Sequence, residues 1–152
     1  MKIMDFLCPD AITIDLKAQD KKAAITELVE MLAKAKKIKK IDNVIETVLE
    51  REKLGSTGIG QGVAIPHGKT DVLAEQVGAL GISQKGVEFN SLDGEPVHLI
   101  FFLVGPIEVA GQHLKALSRI SRLFKDKFFR QSLMGAKSVD EVIKIIQRED
   151  AY

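Results

Sequence analysis

Apolar positions change their spacing several times along the chain, and each change predicts an element. Ala11 to Leu16 alternates, as a short strand does. From Asp20 the period lengthens: Ala24, Ile25, Leu28, Leu32 and Ala35 share one helical face, and Asp20 is the expected N-cap. A second helix is expected from about Asp42 to Leu54, burying Val44, Ile45, Val48 and Leu49, with Gly55 as its stop. Val63 to Ile65, Val77 to Ser83, Val87 to Phe89 and Val97 to Val104 read as strands. The last of these is almost wholly apolar (LIFFLV), which suits a central strand covered on both faces. The final third is helical: Ala110 to Phe124, burying Leu114, Leu117, Ile120 and Leu123, then Asp126 to Leu133, then Val139 to Gln147 capped by Ser138. Helices flanking a block of strands predict a single α/β domain over residues 1–152, with one mixed β-sheet of about five strands.

Composition narrows the chemistry. Lys and Arg number 22 and Asp and Glu 21, so no global field favours nucleic acid or an anionic membrane, and anion chemistry must come from local placement. The one cysteine, Cys8, reads as a small buried hydrophobe, and with no internal partner it fits a reducing cytoplasm. Charged residues interrupt every candidate membrane span, so no direct membrane insertion is expected.

Candidate chemistry gathers in GSTGIGQGVAIPHGKTD, Gly55 to Asp71. Gly58, Gly60 and Gly62 leave little side-chain bulk, so backbone N–H groups can approach an anion. Ser56 and Thr57 either add hydroxyl donors for a phosphate or satisfy backbone groups at the helix exit. Neutral imidazole makes His67 a candidate nucleophile toward phosphorus. Arg51 is near enough in sequence to fold over the loop, where its planar fork suits a phosphate. His113 opens the helix after the long apolar strand, and helix N-termini favour anions. Both histidines follow strands, so they meet if those strands run parallel.

The wording of the motif goes further. REKLGSTGIGQGVAIPHGKTD closely resembles the active-site signature of the type-2 enzyme IIA family of the bacterial phosphotransferase system, and the likeness continues through GQHLKALSRISRLF to the terminal helix. The resemblance implies a phosphohistidine carrier without cofactor. His67 would take a phosphoryl group from the histidine phosphocarrier protein, with His113 and Arg51 as its active-site partners. Two uses follow from the family: nitrogen regulation through protein targets such as kinases or ion transporters, toward which the overall pattern leans, or delivery to a cysteine of enzyme IIB for sugar uptake.

Other features read plainly. His98 sits on a strand without a motif and is expected to be packed; Lys34, Lys36, Lys37, Lys39 and Lys40 form a solvated helix end. Gly68-Lys69-Thr70 resembles the tail of a phosphate loop, but the upstream glycine is misplaced and Pro66 intrudes. The dispersed histidines lack metal-ligand spacing.

Overall fold

The computed structural model describes residues 1–151. Its strands are β1 (Leu7–Thr13), β2 (Gly58–Gly60), β3 (Val63–Ala64), β4 (His67–Lys69), β5 (Val77–Val87) and β6 (Val97–Gly105); its helices are α1 (Lys21–Lys34), α2 (Ile41–Lys53), α3 (Ala110–Phe124), α4 (Lys127–Met134) and α5 (Val139–Glu149). The strands form one sheet in the order β1-β5-β6-β3-β2, with β4 also paired to β6. β1 runs parallel to β5, β5 antiparallel to β6, and β3 and β4 parallel to β6, so the sheet is mixed.

β6 shows why the sheet has two covers. Ile100, Phe102 and Val104 pack with Leu28, Leu32, Val44 and Val48 beneath α1 and α2. Leu99, Phe101 and Leu103 pack with Ile120, Phe124, Leu133 and Ile146 of α3, α4 and α5. Successive strand residues face opposite sides, so both layers need an apolar residue at every position. Each such side chain contributes about 1.5–3 kcal/mol when fully buried. Asp20 and Ser138 cap α1 and α5 as expected, accepting from the N–H groups of Ala23 and Glu141; such caps contribute ~1 kcal/mol each.

Several boundaries differ from the sequence reading. β1 begins at Leu7 and ends at Thr13 rather than covering Ala11 to Leu16. Pro9 is tolerated because β1 is an edge strand whose register shifts between Leu7 and Ile12. Val87 belongs to the end of β5 and not to a separate strand. With that strand absorbed, four of the expected strands remain, and two short ones, β2 and β4, bring the sheet to six. Leu114 is 66% exposed rather than buried, and His113 takes the inward position of that first turn.

The lesser features lie as predicted. Cys8 is buried, the five lysines are exposed, and His98 is half-buried with its Nδ1 2.8 Å from Ser83 O.

The short strands position the site. β3 pairs Val63 with Leu99 and Ala64 with Ile100; β4 pairs His67 with Leu103. The register offset is the same throughout, so β3 and β4 form one line beside β6, interrupted at Ile65 and Pro66. Leu103 N–H donates to Pro66 O (3.0 Å) and Thr70 N–H to Gly105 O (2.9 Å), fastening both ends of β4. Gly68 then lets α2 lie on β4: a Cβ there would stand 3.0 Å from Thr47 Cγ2 and 3.4 Å from Val48 Cγ2.

Candidate functional site

Because β4 runs parallel to β6, His67 arrives at the same end of the sheet from which α3 departs. α2 crosses that end through its contact with Gly68. The three elements enclose a cavity of about 700 Å³, lined by Thr47, Glu50, Arg51 and Leu54 from α2, His67, Gly68 and Lys69 from β4, and Ala110, His113, Leu114 and Leu117 from α3. The rings of His67 and His113 lie 5.8 Å apart, tilted by 49°.

His67 is half-buried, and its Nδ1–H donates to Ile65 O at 2.8 Å. Pro66 disfavours a helical conformation at Ile65, and the Ile65 carbonyl lies within reach of the ring two residues on. With the proton fixed on Nδ1, the lone pair belongs to Nε2. Desolvation holds the His67 pKa below the ordinary histidine value, and the charges of Arg51 and Lys69 push the same way; the bond to Ile65 and the charge of Glu52 oppose them. The ring is therefore a free base at neutral pH.

His113 is 4% exposed and its pKa is lowered to about 4, first by desolvation and then by His67 and Lys69. Arg51 donates one hydrogen bond from Nη1 to Gly55 O (3.0 Å), which holds the helix exit and leaves the rest of the fork to the cavity it lines. Among the described residues no side chain caps α3, so its first-turn N–H groups add partial positive charge beside His113. Two fixed cations, a helix N-terminus and a nucleophilic nitrogen suit an anion that undergoes attack. Among the described residues no three or more His, Cys, Asp or Glu gather as metal ligands.

The expected glycine cradle is elsewhere. Gly58, Gly60 and Gly62 do not line this cavity. Gly60 ends β2, and Gln61 and Gly62 turn the chain into β3 with φ of 59° and 79°, as a two-residue hairpin with positive φ requires. Gly58 N–H donates to Ser56 Oγ, and its missing Cβ makes room for Ser91. Ser56 Oγ donates to Phe89 O (2.8 Å), and Thr57 Oγ1 donates to Glu52. Both hydroxyls thus satisfy local groups at the helix exit, the second of the two readings left open for them.

Sequence reasoning missed three residues. Lys69 was visible only as the tail of a failed phosphate loop. Glu52 is buried, accepts Thr57 N–H (3.1 Å) and pairs with Lys21 Nζ at 2.9 Å, tying α2, the loop and α1 together. Its signal was a charged residue continuing the Val44, Val48 stripe. Gln76, which meets His113, carried no signal in the chain.

Comparison with known proteins identifies the family. Residues 5–149 match the family model described as phosphoenolpyruvate-dependent sugar phosphotransferase system, EIIA 2. A nitrogen regulatory protein of Bradyrhizobium diazoefficiens is 38% identical over 148 residues, covering 96% of this chain and 95% of that one. The fructose-specific EIIABC component of Bacillus subtilis is 39% identical over 150 residues; these make up 99% of this chain but only 24% of that protein. The crystal structure of nitrogen regulatory protein IIA-Ntr from Neisseria meningitidis superposes with a TM-score of 0.87 at 38% identity, covering 95% of this chain and 98% of that one. With a match running almost end to end, and with His67 and His113 facing each other across one cavity, the chain belongs to the EIIA 2 family of the phosphoenolpyruvate-dependent phosphotransferase system.

Proposed function

We propose that this protein is a phosphohistidine carrier in which Nε2 of His67 accepts a phosphoryl group from the histidine phosphocarrier protein and later surrenders it. The observation that carries the reading is the 2.8 Å bond from His67 Nδ1 to Ile65 O, which places the lone pair on Nε2. In the transfer an Nε2–P bond forms as the donor's N–P bond breaks, and the donor nitrogen keeps the electron pair. The imidazole becomes electron-poor once phosphorylated, and its Nδ1–H bond to the carbonyl strengthens accordingly. Arg51, Lys69 and the first turn of α3 stabilise charge on the phosphoryl oxygens, and His113 hydrogen-bonds the same group. Leu54 and Leu114, 84% and 66% exposed, rim the cavity with apolar surface suited to docking proteins rather than small substrates.

The use of the relay follows the nitrogen-regulatory type, acting through protein targets such as kinases or ion transporters. Similarity to the Bradyrhizobium protein and to the Neisseria IIA-Ntr structure supports this. Identity of 39% to the fructose-specific component supports a second reading, delivery to an enzyme IIB cysteine for sugar uptake. Phosphoenolpyruvate and the general phosphotransferase proteins should label the parent with acid-labile phosphate and leave His67→Ala unlabelled; equal labelling of His67→Ala refutes the carrier role. Label passing on to purified enzyme IIB and sugar selects transport. Binding to a purified kinase or ion transporter that changes with phosphorylation, without sugar transfer, selects regulation.

A further inference from the structure

A buried histidine needs a partner at each ring nitrogen, and His113 has only one. Its Nδ1 lies 3.0 Å from Gln76 Oε1, whereas its Nε2 is buried and has no hydrogen bond among the described residues. Gln76 lies over Gly105 at the end of β6: a Cβ on that glycine would stand 3.4 Å from the Gln76 Cβ and Cγ. A side-chain amide carries an acceptor and a donor on one carbon, and a half-turn about its last bond exchanges them in place. A carboxylate in the same position can only accept.

We propose that Gln76 is a positioning residue whose amide sets the tautomer of His113 according to whether His67 carries a phosphoryl group. The inference rests on the carrier reading above. With His67 empty, Gln76 Oε1 accepts from His113 Nδ1–H and leaves a bare lone pair on Nε2. Phosphoryl oxygens are acceptors only, so that lone pair would repel them, while an Nε2–H would donate to them. Rotation of the amide presents its NH2 to Nδ1, which becomes the acceptor, and the proton resides on Nε2 instead. One proton leaves Nδ1, one arrives at Nε2, and the net charge of the pair is unchanged. With His67 empty, burial of the ring and then the charges of His67 and Lys69 oppose the other route, gain of a second proton to form imidazolium.

Nitrogen NMR on histidine-labelled protein reads the tautomer directly. The expected result is Nδ1–H on His113 in the empty protein and Nε2–H in the phosphorylated protein. Gln76→Glu should hold a proton on Nδ1 in both states and slow transfer to His67 about tenfold or more, the loss of one charge-assisted hydrogen bond. Gln76→Met, similar in size and unable to hydrogen-bond, should slow transfer comparably. An unchanged His113 tautomer on phosphorylation, an imidazolium in the phosphorylated parent, or parental transfer rates in a folded Gln76→Glu variant each overturn the proposal. If instead the parent takes no phosphate on His67, it is the carrier reading that fails.

Discussion

Two glycine-bearing stretches stand a few residues apart in this chain and do different work. In the β2–β3 hairpin, Gly60 and Gly62 take positive φ so that the backbone can reverse, and neither lines the cavity of His67. In β4, Gly68 is an ordinary strand residue whose missing side chain lets α2 rest on β4, bringing Arg51 and His67 to one cavity. The first stretch requires a backbone conformation, the second requires space. Glycine content alone does not separate these uses; the register of β3 and β4 beside β6 does.

The comparison can be broken most sharply at the site. Arg51→Ala should slow phosphoryl transfer to His67 by ~10²-fold, by analogy with loss of an oxyanion donor. A single-turnover rate equal to the parent would remove Arg51 from the chemistry.

Titration separates the two regions next. His113 has a folded pKa of about 4 against 6.5 unfolded, so the unfolded chain binds its proton first as pH falls. Its contribution to stability is whole above pH 6.5, declines as pH falls toward 4, and is gone below that. The loss amounts to roughly 2–3 kcal/mol. Urea midpoints at pH 7 and pH 4 should therefore fall further in the parent than in His113→Asn, and parallel losses would contradict the assignment. In the hairpin region the exposed Asp93 carboxylate, which accepts the N–H groups of Glu95 and Gln61, is held below its ordinary range, so its bonds persist to lower pH.

Substitution of the glycines sharpens the contrast further. Gly68→Val adds atoms where a Cβ already meets Thr47 at 3.0 Å, so it should cost about 2 kcal/mol and slow transfer as α2 is lifted. Gly60→Ala places a side chain at φ +99° and should cost about 1 kcal/mol, leaving the transfer rate of folded molecules unchanged. Denaturant unfolding together with single-turnover rates on both variants checks the pair. Equal loss of rate in both would erase the distinction.

Much of the fold was legible because burial leaves periodic marks. The apolar run of β6, the stripes of α1 and α2, and the caps at Asp20 and Ser138 all lie where the pattern puts them. Leu114 continues the α3 stripe but is exposed, because the first turn of that helix overhangs the cavity and has no layer above it. β4 is three residues long, too short for a period, so the parallel pairing that joins the histidines could be stated only as a condition. His67 and Arg51 were legible through the wording of the signature, and His113 through its continuation, GQHLKALSRISRLF. The partner of His113 was not, since Gln76 lies 37 positions away and only the packing of β6 against α3 brings it near.

Where the phosphorus attaches is the most direct test of the account. Phosphorylated protein examined by phosphorus and nitrogen NMR should show one N–P bond, at Nε2 of His67, with the proton still on Nδ1. Attachment at Nδ1, or at any other residue, would contradict it.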